Sequence, residues 1–444
     1  MGADVRQSLD VIIAGGGIAA LEALLALRAL APEAMRIQLL APEPEFVHRP
    51  LFVAEPFGIG EAARFGLADV AAENGAVFRR AGLASVDATT GTVTTEDGDE
   101  IRYDALLVAI GARPVPAVPG ALTFGDPSER EFFAALLDQL GRRHGEQLAF
   151  LVPAEVKWSL AAYELALLTV SHLQARSAGK VKVAVITHET APLEMIGAGP
   201  AQTLRELLRA SRIGVETSAV VTSFESGRVR LADGGSIRSD HAVALPALEV
   251  PTIEGLPQRW RGFIPTDTGM HVAGLDRVWA AGDVTWFPIK QGGLAAQQAE
   301  VAANAIAAAA GVRVAAAAFR PHLRAALVTG AVPLLLETAD VDAGEAWWPP
   351  AKAAGRYIGP YLAAKRRGAS PIPRAEAPEG LKEAMESEEE HRDAVEFALV
   401  AADSDARLGN LPGALEWLDL VEEMNLVIPP AYAERRRRWR QAAG

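Results

Sequence analysis

The chain has 444 residues, half of them hydrophobic and 22% charged, which suits a globular protein with two or three packed cores. A formal charge of −13 argues against a nucleic-acid partner, because no global field attracts phosphate. There is no cysteine, which excludes disulfides, thiolate nucleophiles, zinc–thiolate sites and cysteine-ligated iron–sulfur clusters, so any redox chemistry must belong to an organic cofactor.

The opening reads strand, glycine turn, helix. Asp10–Ala14 is a short apolar strand, Gly15-Gly16-Gly17 the turn, and Ile18 to Leu30 an alanine- and leucine-rich helix. Ile37–Leu40 is the next strand and completes a βαβ unit. Gly15, Gly17 and Ala20 match the G-x-G-x-x-G/A fingerprint in its required setting. The first glycine permits the tight turn and the second lets a pyrophosphate approach the backbone. The helix N-terminus then offers free N–H groups and its positive dipole end. The same spacing also suits a plain βα turn. The ribose-binding acid of such units falls at the end of the second strand, where this chain has Ala41 and, two residues on, Glu43. Glu43 is therefore either a ribose ligand or a surface carboxylate.

A loop rich in proline and phenylalanine follows (Pro42 to Phe57), then a hairpin over Val93 to Ile101 turning at Asp97-Gly98. Ala105 to Ile110 reads as a fully buried strand, and Pro114, Pro116 and Pro119 mark a linker. A second α/β unit comprises strand Leu148–Val152, helix Trp158–Gln174, strand Val181–Thr187 and helix Thr203–Arg212, with a hairpin starting at Arg228. The chain returns at Val278–Asp283, and a long helix begins near Gly292. That helix carries Gln297, Gln298, Glu300 and Asn304, so it reads as a soluble helix and not a membrane span. Met1 to Asp10 is polar and lacks the features of a secretory signal, which predicts a cytoplasmic protein, peripheral to the inner membrane face at most. Beyond Pro373 the chain is helical and charged, with Glu386 and Glu388 to Glu390 opposed to Arg435–Arg438, Trp439 and Arg440.

Three motifs in order carry a family resemblance: Gly15/Gly17/Ala20; Tyr103-Asp104 with Ala109-Ile110-Gly111; and Val278 through Gly282-Asp283. Together they resemble the FAD-dependent pyridine nucleotide-disulfide oxidoreductase superfamily, and within it the sulfide:quinone oxidoreductases and type II NADH dehydrogenases. The resemblance covers about Val11 to Leu362. It implies an α/β fold of two Rossmann-like domains, the first split by the second: 1–120 with 263–320 for FAD, 121–262 for the insertion. A C-terminal interface segment over 321–372 and a helical tail over 373–444 would follow.

It further implies FAD as cofactor, held by the glycines and alanines of the three motifs together with Asp283 on the ribityl chain. His48-Arg49-Pro50 would pass near the flavin, which makes Arg49 a candidate contact. Lys290-Gln291-Gly292 would lie beside the flavin ring, with Lys290 answering the negative charge that appears on reduction. Trp158 and Glu164, on the inserted helix, are the other candidates for catalysis, the carboxyl as a proton carrier. Trp347-Trp348-Pro349-Pro350 falls where relatives carry quinone and membrane contacts.

Two departures qualify the resemblance. Val152 through Leu160 contains no glycine where the dehydrogenases carry a second glycine-rich turn for NADH, and Glu189 on the next strand reads as a surface residue without that turn. Trp158 stands after Lys157 where the sulfide enzymes place a redox cysteine, so their sulfur relay cannot operate. The expectation is a FAD-dependent oxidoreductase passing electrons to a quinone-like or other acceptor, with an unknown donor. An NAD(P)H dehydrogenase with an atypical nucleotide site and a non-catalytic flavin-binding scaffold are the alternatives. No metal is expected. Partners are small molecules, a possible second copy, or a protein bound through the tail.

Overall fold

The computed structural model describes residues 8–32, 34–48, 52–59, 62–125, 130–142, 145–176, 181–314, 318–329, 334–337, 355–368, 415, 418 and 430–443. Two compact units divide the chain: Met1–Val341 rejoined by Lys352–Gly359, and Asp342–Ala351 with Pro360–Gly444.

In the first unit the regular elements that frame the site are β1 (Leu9–Ala14), α1 (Ile18–Leu30), β2 (Met35–Leu40), β3 (Val77–Arg79), β4 (Ala105–Val108), β5 (Leu122–Thr123), β6 (Gln147–Val152), α2 (Leu160–Ala175), β7 (Lys182–Thr187), α3 (Ala198–Ala210), β8 (Gly214–Glu216), β9 (His241–Ala244), β10 (Val278–Ala280) and α4 (Gly292–Ala309). They build two five-stranded sheets, one in the order β10-β4-β1-β2-β3 and the other β5-β9-β6-β7-β8. Every pairing in both is parallel. The near-continuous apolar runs of β1, β4 and β6 belong to strands covered on both faces, as parallel sheets require. The fold is thus mixed α/β with two Rossmann-like units, and the first sheet is completed by β10 only after the second has been built.

Small antiparallel pieces accompany the two sheets. Thr92–Thr95 pairs with Glu100–Arg102 across Gly98, the hairpin expected at Asp97-Gly98. A second three-stranded piece contains Arg228–Leu231 and Ser236–Arg238. Arg324–Leu327 and Leu334–Glu337 form a last hairpin, whose Ala325, Leu327 and Leu336 pack into the core around α2 and β6.

Two helices differ from the sequence reading. α2 starts at Leu160, behind Ser159, because the turn from Pro153 to Trp158 is braced by its own contacts: Val156 N–H to Pro153 O (2.9 Å) and Lys157 Nζ to Ala154 O (2.8 Å). α3 spans Ala198–Ala210, not Thr203–Arg212. Pro200 falls in its first turn, where a missing N–H costs no helical bond. Arg212 adopts a left-handed φ of 56°, which ends that helix. A further helix spans Ile358–Gly368, and in the second unit Pro430–Ala443 is the arginine-rich terminal helix, with Arg438 paired to Glu434 at 2.6 Å. Among the described residues no helix is long and apolar enough to cross a membrane. Arg49, Trp347 through Pro350 and the acidic tail residues lie outside the described residues.

Candidate functional site

The three glycine turns singled out in the sequence meet at one place, the C-terminal edge of the first sheet. Strand order reverses there: β2 and β3 lie to one side of β1, β4 and β10 to the other, which opens a crevice beyond the strand ends. Gly15 N–H donates to Leu40 O (2.7 Å), Ala109 N–H to Ala14 O (2.7 Å) and Ala281 N–H to Val108 O (3.1 Å). These bonds extend the ladder one residue past each strand and hold the turns side by side.

The glycines of the first turn do different work. Gly15 has φ +133°, and a Cβ there would lie 2.1 Å from Ala109 O. Gly17 has φ −91° with nothing within 4 Å of an added Cβ, and it begins α1 with no side-chain cap. The first turn of α1 therefore has no side-chain cap and begins beside open space at Gly17, the arrangement an anion needs. Ala20 is fully buried one turn on. Gly111 has φ +72° and open space above it. Tyr103-Asp104, by contrast, lies at the opposite end of the sheet. Asp104 accepts Asp10 N–H (2.9 Å) and sets the start of β1, so half of that motif is structural. Glu43 is exposed after β2 and makes no hydrogen bond or ion pair among the described residues.

The third turn is locked from behind by a polar residue of α4 to which the sequence reading gave no such role. Gln298, 2% exposed on α4, accepts Gly282 N–H at 2.7 Å, while Thr285 Oγ1 donates to Gly282 O at 2.9 Å. Its signal in the sequence is a polar residue on the alanine-rich face of a buried helix. Lys290 curls back over the same turn, donating to Asp283 O (3.1 Å) and Thr285 O, with its ammonium 3.9 Å from the centre of the Phe263 ring. Burial pulls its pKa down to about 8, against the pull of Asp283 in the other direction. Gln291 caps α4, accepting Leu294 N–H (2.8 Å) and donating to Arg324 O (2.7 Å), so both ends of its amide are taken by the chain. Gly292 follows as the first helical residue.

Asp283, Lys290, Gln291, Gly292 and Gln298 line a cavity of about 1140 Å³ that reaches to the second sheet, where Trp158 and Glu164 line it too. Glu164 is buried and accepts Val328 N–H at 2.8 Å, which ties α2 to the last hairpin. Trp158 is half-buried, one side against the core of the second sheet.

Glu189 corrects an expectation. It is 5% exposed, not a surface residue. Ser159 Oγ (2.8 Å), Tyr163 Oη (2.7 Å) and Thr187 Oγ1 (2.9 Å) all donate to its carboxylate. Burial together with that carboxylate raises the Tyr163 phenol far above its usual range. The acid at the end of β7 is saturated by the chain's own hydroxyls. His188 at Val156 O (3.0 Å) and Arg261 on Glu155 (2.9 Å) brace the glycine-free turn beside it.

A third buried carboxyl, Glu22 on α1, was not foreseen. It accepts N–H from Tyr357 (3.0 Å) and Ile358 (2.7 Å). An added Cβ at Gly355 would come within 2.5 Å of it. Burial raises its pKa to about 7. A carboxylate inside an otherwise apolar helix stretch, Ala19 to Leu27, is the signal that could have found it.

Residues 9–152 and 158–309 match the pyridine nucleotide-disulphide oxidoreductase family. Two curated relatives, NADH dehydrogenase-like proteins from two strains of Mycobacterium tuberculosis, are each 28% identical over 234 residues, half of this chain and 58% of theirs. The match thus spans little more than half the length of those relatives. The fold is similar to that of the sulfide:quinone oxidoreductase of Aquifex aeolicus, with TM-score 0.66, 20% identity and coverage of 73% of this chain and 82% of that one. It is also similar to a ferredoxin reductase of Rhodopseudomonas palustris, with TM-score 0.55, 18% identity and coverage of 72% and 80%.

Proposed function

We propose that this chain, which belongs to the pyridine nucleotide-disulphide oxidoreductase family, is a FAD-dependent oxidoreductase delivering electrons to a quinone-like or other flat acceptor without a cysteine relay. One observation carries the reading. The open cradle at Gly17, the Gly282-Asp283 turn and the start of α4 meet at one sheet edge, and the last two open into an aromatic cavity. The residues fit the cofactor: uncapped N–H groups at α1 suit its pyrophosphate and Asp283 suits its ribityl hydroxyls. Bound FAD would supply reversible two-electron transfer. On this reading 1–120 and 263–320 form the FAD domain, 121–262 the insertion, 321–372 an interface segment and 373–444 the tail. Lys290 keeps a positive charge at the cavity wall, where it would stabilise negative charge arising on reduction. Trp158 gives the ring of a flat ligand an aromatic wall, and Glu164 is the candidate proton carrier.

The test begins with colour. The purified protein is expected to be yellow with about one FAD per chain, and Asp283→Ala to weaken FAD retention by roughly 1.5–3 kcal/mol, the scale of a lost charged hydrogen bond. Chemically reduced enzyme should then be reoxidised by a soluble quinone. A wild-type chain that stays colourless after reconstitution overturns the reading.

The Mycobacterium tuberculosis relatives favour a second reading, an NAD(P)H dehydrogenase. The saturated Glu189 and the glycine-free turn oppose a conventional nucleotide pose, since a ribose would have to displace three hydroxyl donors. NADH and NADPH are expected to bleach the flavin slowly or not at all in a stopped-flow trace. Fast, saturable bleaching at micromolar NADH would establish the second reading instead.

A further inference from the structure

At the mouth of the cavity the chain sets tryptophans against arginines. The Arg259 guanidinium lies 5.7 Å from the centre of the Trp286 ring, and Arg261 lies 4.7 Å from that of Trp260. Both tryptophans remain open to solvent, 40% and 59% exposed, and all four residues line the cavity. Large aromatic surface held open beside an interior space is uncommon unless something covers it. The Trp286 ring is steadied by Phe263 at 6.2 Å, and Arg261 by its ion pair with Glu155.

The cavity lining holds four cations and four carboxylates, and not all of them are paired with one another. Glu155 is spent on Arg261. Asp267 accepts the N–H groups of Gly269 (2.8 Å) and His271 (2.9 Å). Glu164 is bonded to Val328 N–H, and Asp283 sits beside Lys290. Arg259 makes no ion pair among the described residues, and Lys157 donates only to Ala154 O. Arg259 and Lys157 thus line the cavity without an ion pair among the described residues, and Arg259 lies over an open indole.

We propose that this mouth binds the substrate through a flat aromatic group carrying an anionic substituent, the ring against Trp286 and the anion on Arg259. The inference deepens the reading above, since it rests on the same cavity and names the class of molecule that enters it. A guanidinium already stacked on an indole keeps its N–H edge free for an anion, so one residue pair can meet both halves of such a ligand. An uncharged quinone would use the stacking half alone.

The test uses the holoprotein and two redox-inert probes of the same shape, naphthalene-2-sulfonate and its uncharged sulfonamide, titrated by calorimetry. The sulfonate is expected to bind roughly tenfold to a hundredfold more tightly, and to weaken with salt. Arg259→Gln should bring the two probes to equal affinity, whereas Trp286→Leu should weaken both. Unchanged melting temperatures would show that each variant is folded. Equal binding of both probes to wild type, or an Arg259→Gln variant that still prefers the sulfonate, overturns the proposal. A chain that binds the sulfonate yet holds no flavin contradicts the proposed function and leaves this site standing. A yellow, quinone-active chain indifferent to the sulfonate does the reverse.

Discussion

Gly15→Ala should yield little folded protein, while Gly17→Ala should fold as wild type and fail to keep its cofactor. At Gly15 the obstacle is backbone. An added Cβ meets the Ala109 carbonyl oxygen at 2.1 Å and its carbon at 2.5 Å, so no side-chain rotation relieves it, and φ +133° disfavours any L side chain. The cost should reach about 3–5 kcal/mol, a large part of the 5–15 kcal/mol that holds a typical domain together. Gly17 has an ordinary extended conformation and free space, so alanine there should change stability by less than about 0.5 kcal/mol. Its methyl group, however, would stand where the pyrophosphate must approach. Soluble yield, melting temperature and bound FAD, measured side by side, check both halves. A Gly17→Ala protein with full FAD content would move the phosphate site elsewhere.

The other large effect is a pH dependence of stability centred on Glu22. Burial raises its pKa from an ordinary 4.5 to about 7, and the N–H groups of Ile358 and Tyr357 offset only part of that. Glu300 adds to the rise, while Arg356, held to Glu300 at 2.9 Å, lowers it from the backbone. The folded state therefore keeps a proton that the unfolded chain releases. The stabilisation this gives is complete below about pH 4.5 and lost as pH rises through about 7, and it amounts to about 3 kcal/mol. Glu22→Gln keeps an acceptor for the N–H groups but cannot titrate. The stability difference between wild type and Glu22→Gln should shrink by that amount across the window, as read from urea midpoints. A constant difference would show that folding leaves the Glu22 pKa where it is in the unfolded chain.

How far the sequence reveals these features depends on the range of the physics involved. β1, the glycine turn and α1 are local, set by apolar runs and one tight turn, and they read directly from the residues. Of the partners of Glu189 only Thr187 is close in sequence, and its burial is not legible, because a carboxylate is assigned to the surface unless its donors are known. Ser159 and Tyr163 become donors only when α2 and β7 pack. Gln298 and Glu22 are harder still, for each answers a segment brought near by tertiary folding, the Gly282 turn in one case and Tyr357 in the other. Lys290 is found by its motif, but not the Phe263 ring beneath it.

The parallel sheet beyond the glycine turns also dictates an order of events in making the protein. β4 emerges from the ribosome as an exposed edge, and its neighbour β10 exists only once the chain has run past Ala280. The second sheet, contiguous from β5 to β9, can close first, so the insertion acts as a nucleus beside a half-built partner. Glu22 waits longer, because its backbone donors lie 335 residues downstream. The nascent first domain therefore carries an open strand until Ala280 has been made and an unanswered carboxyl until Tyr357 has, the interval in which a chaperone would matter most.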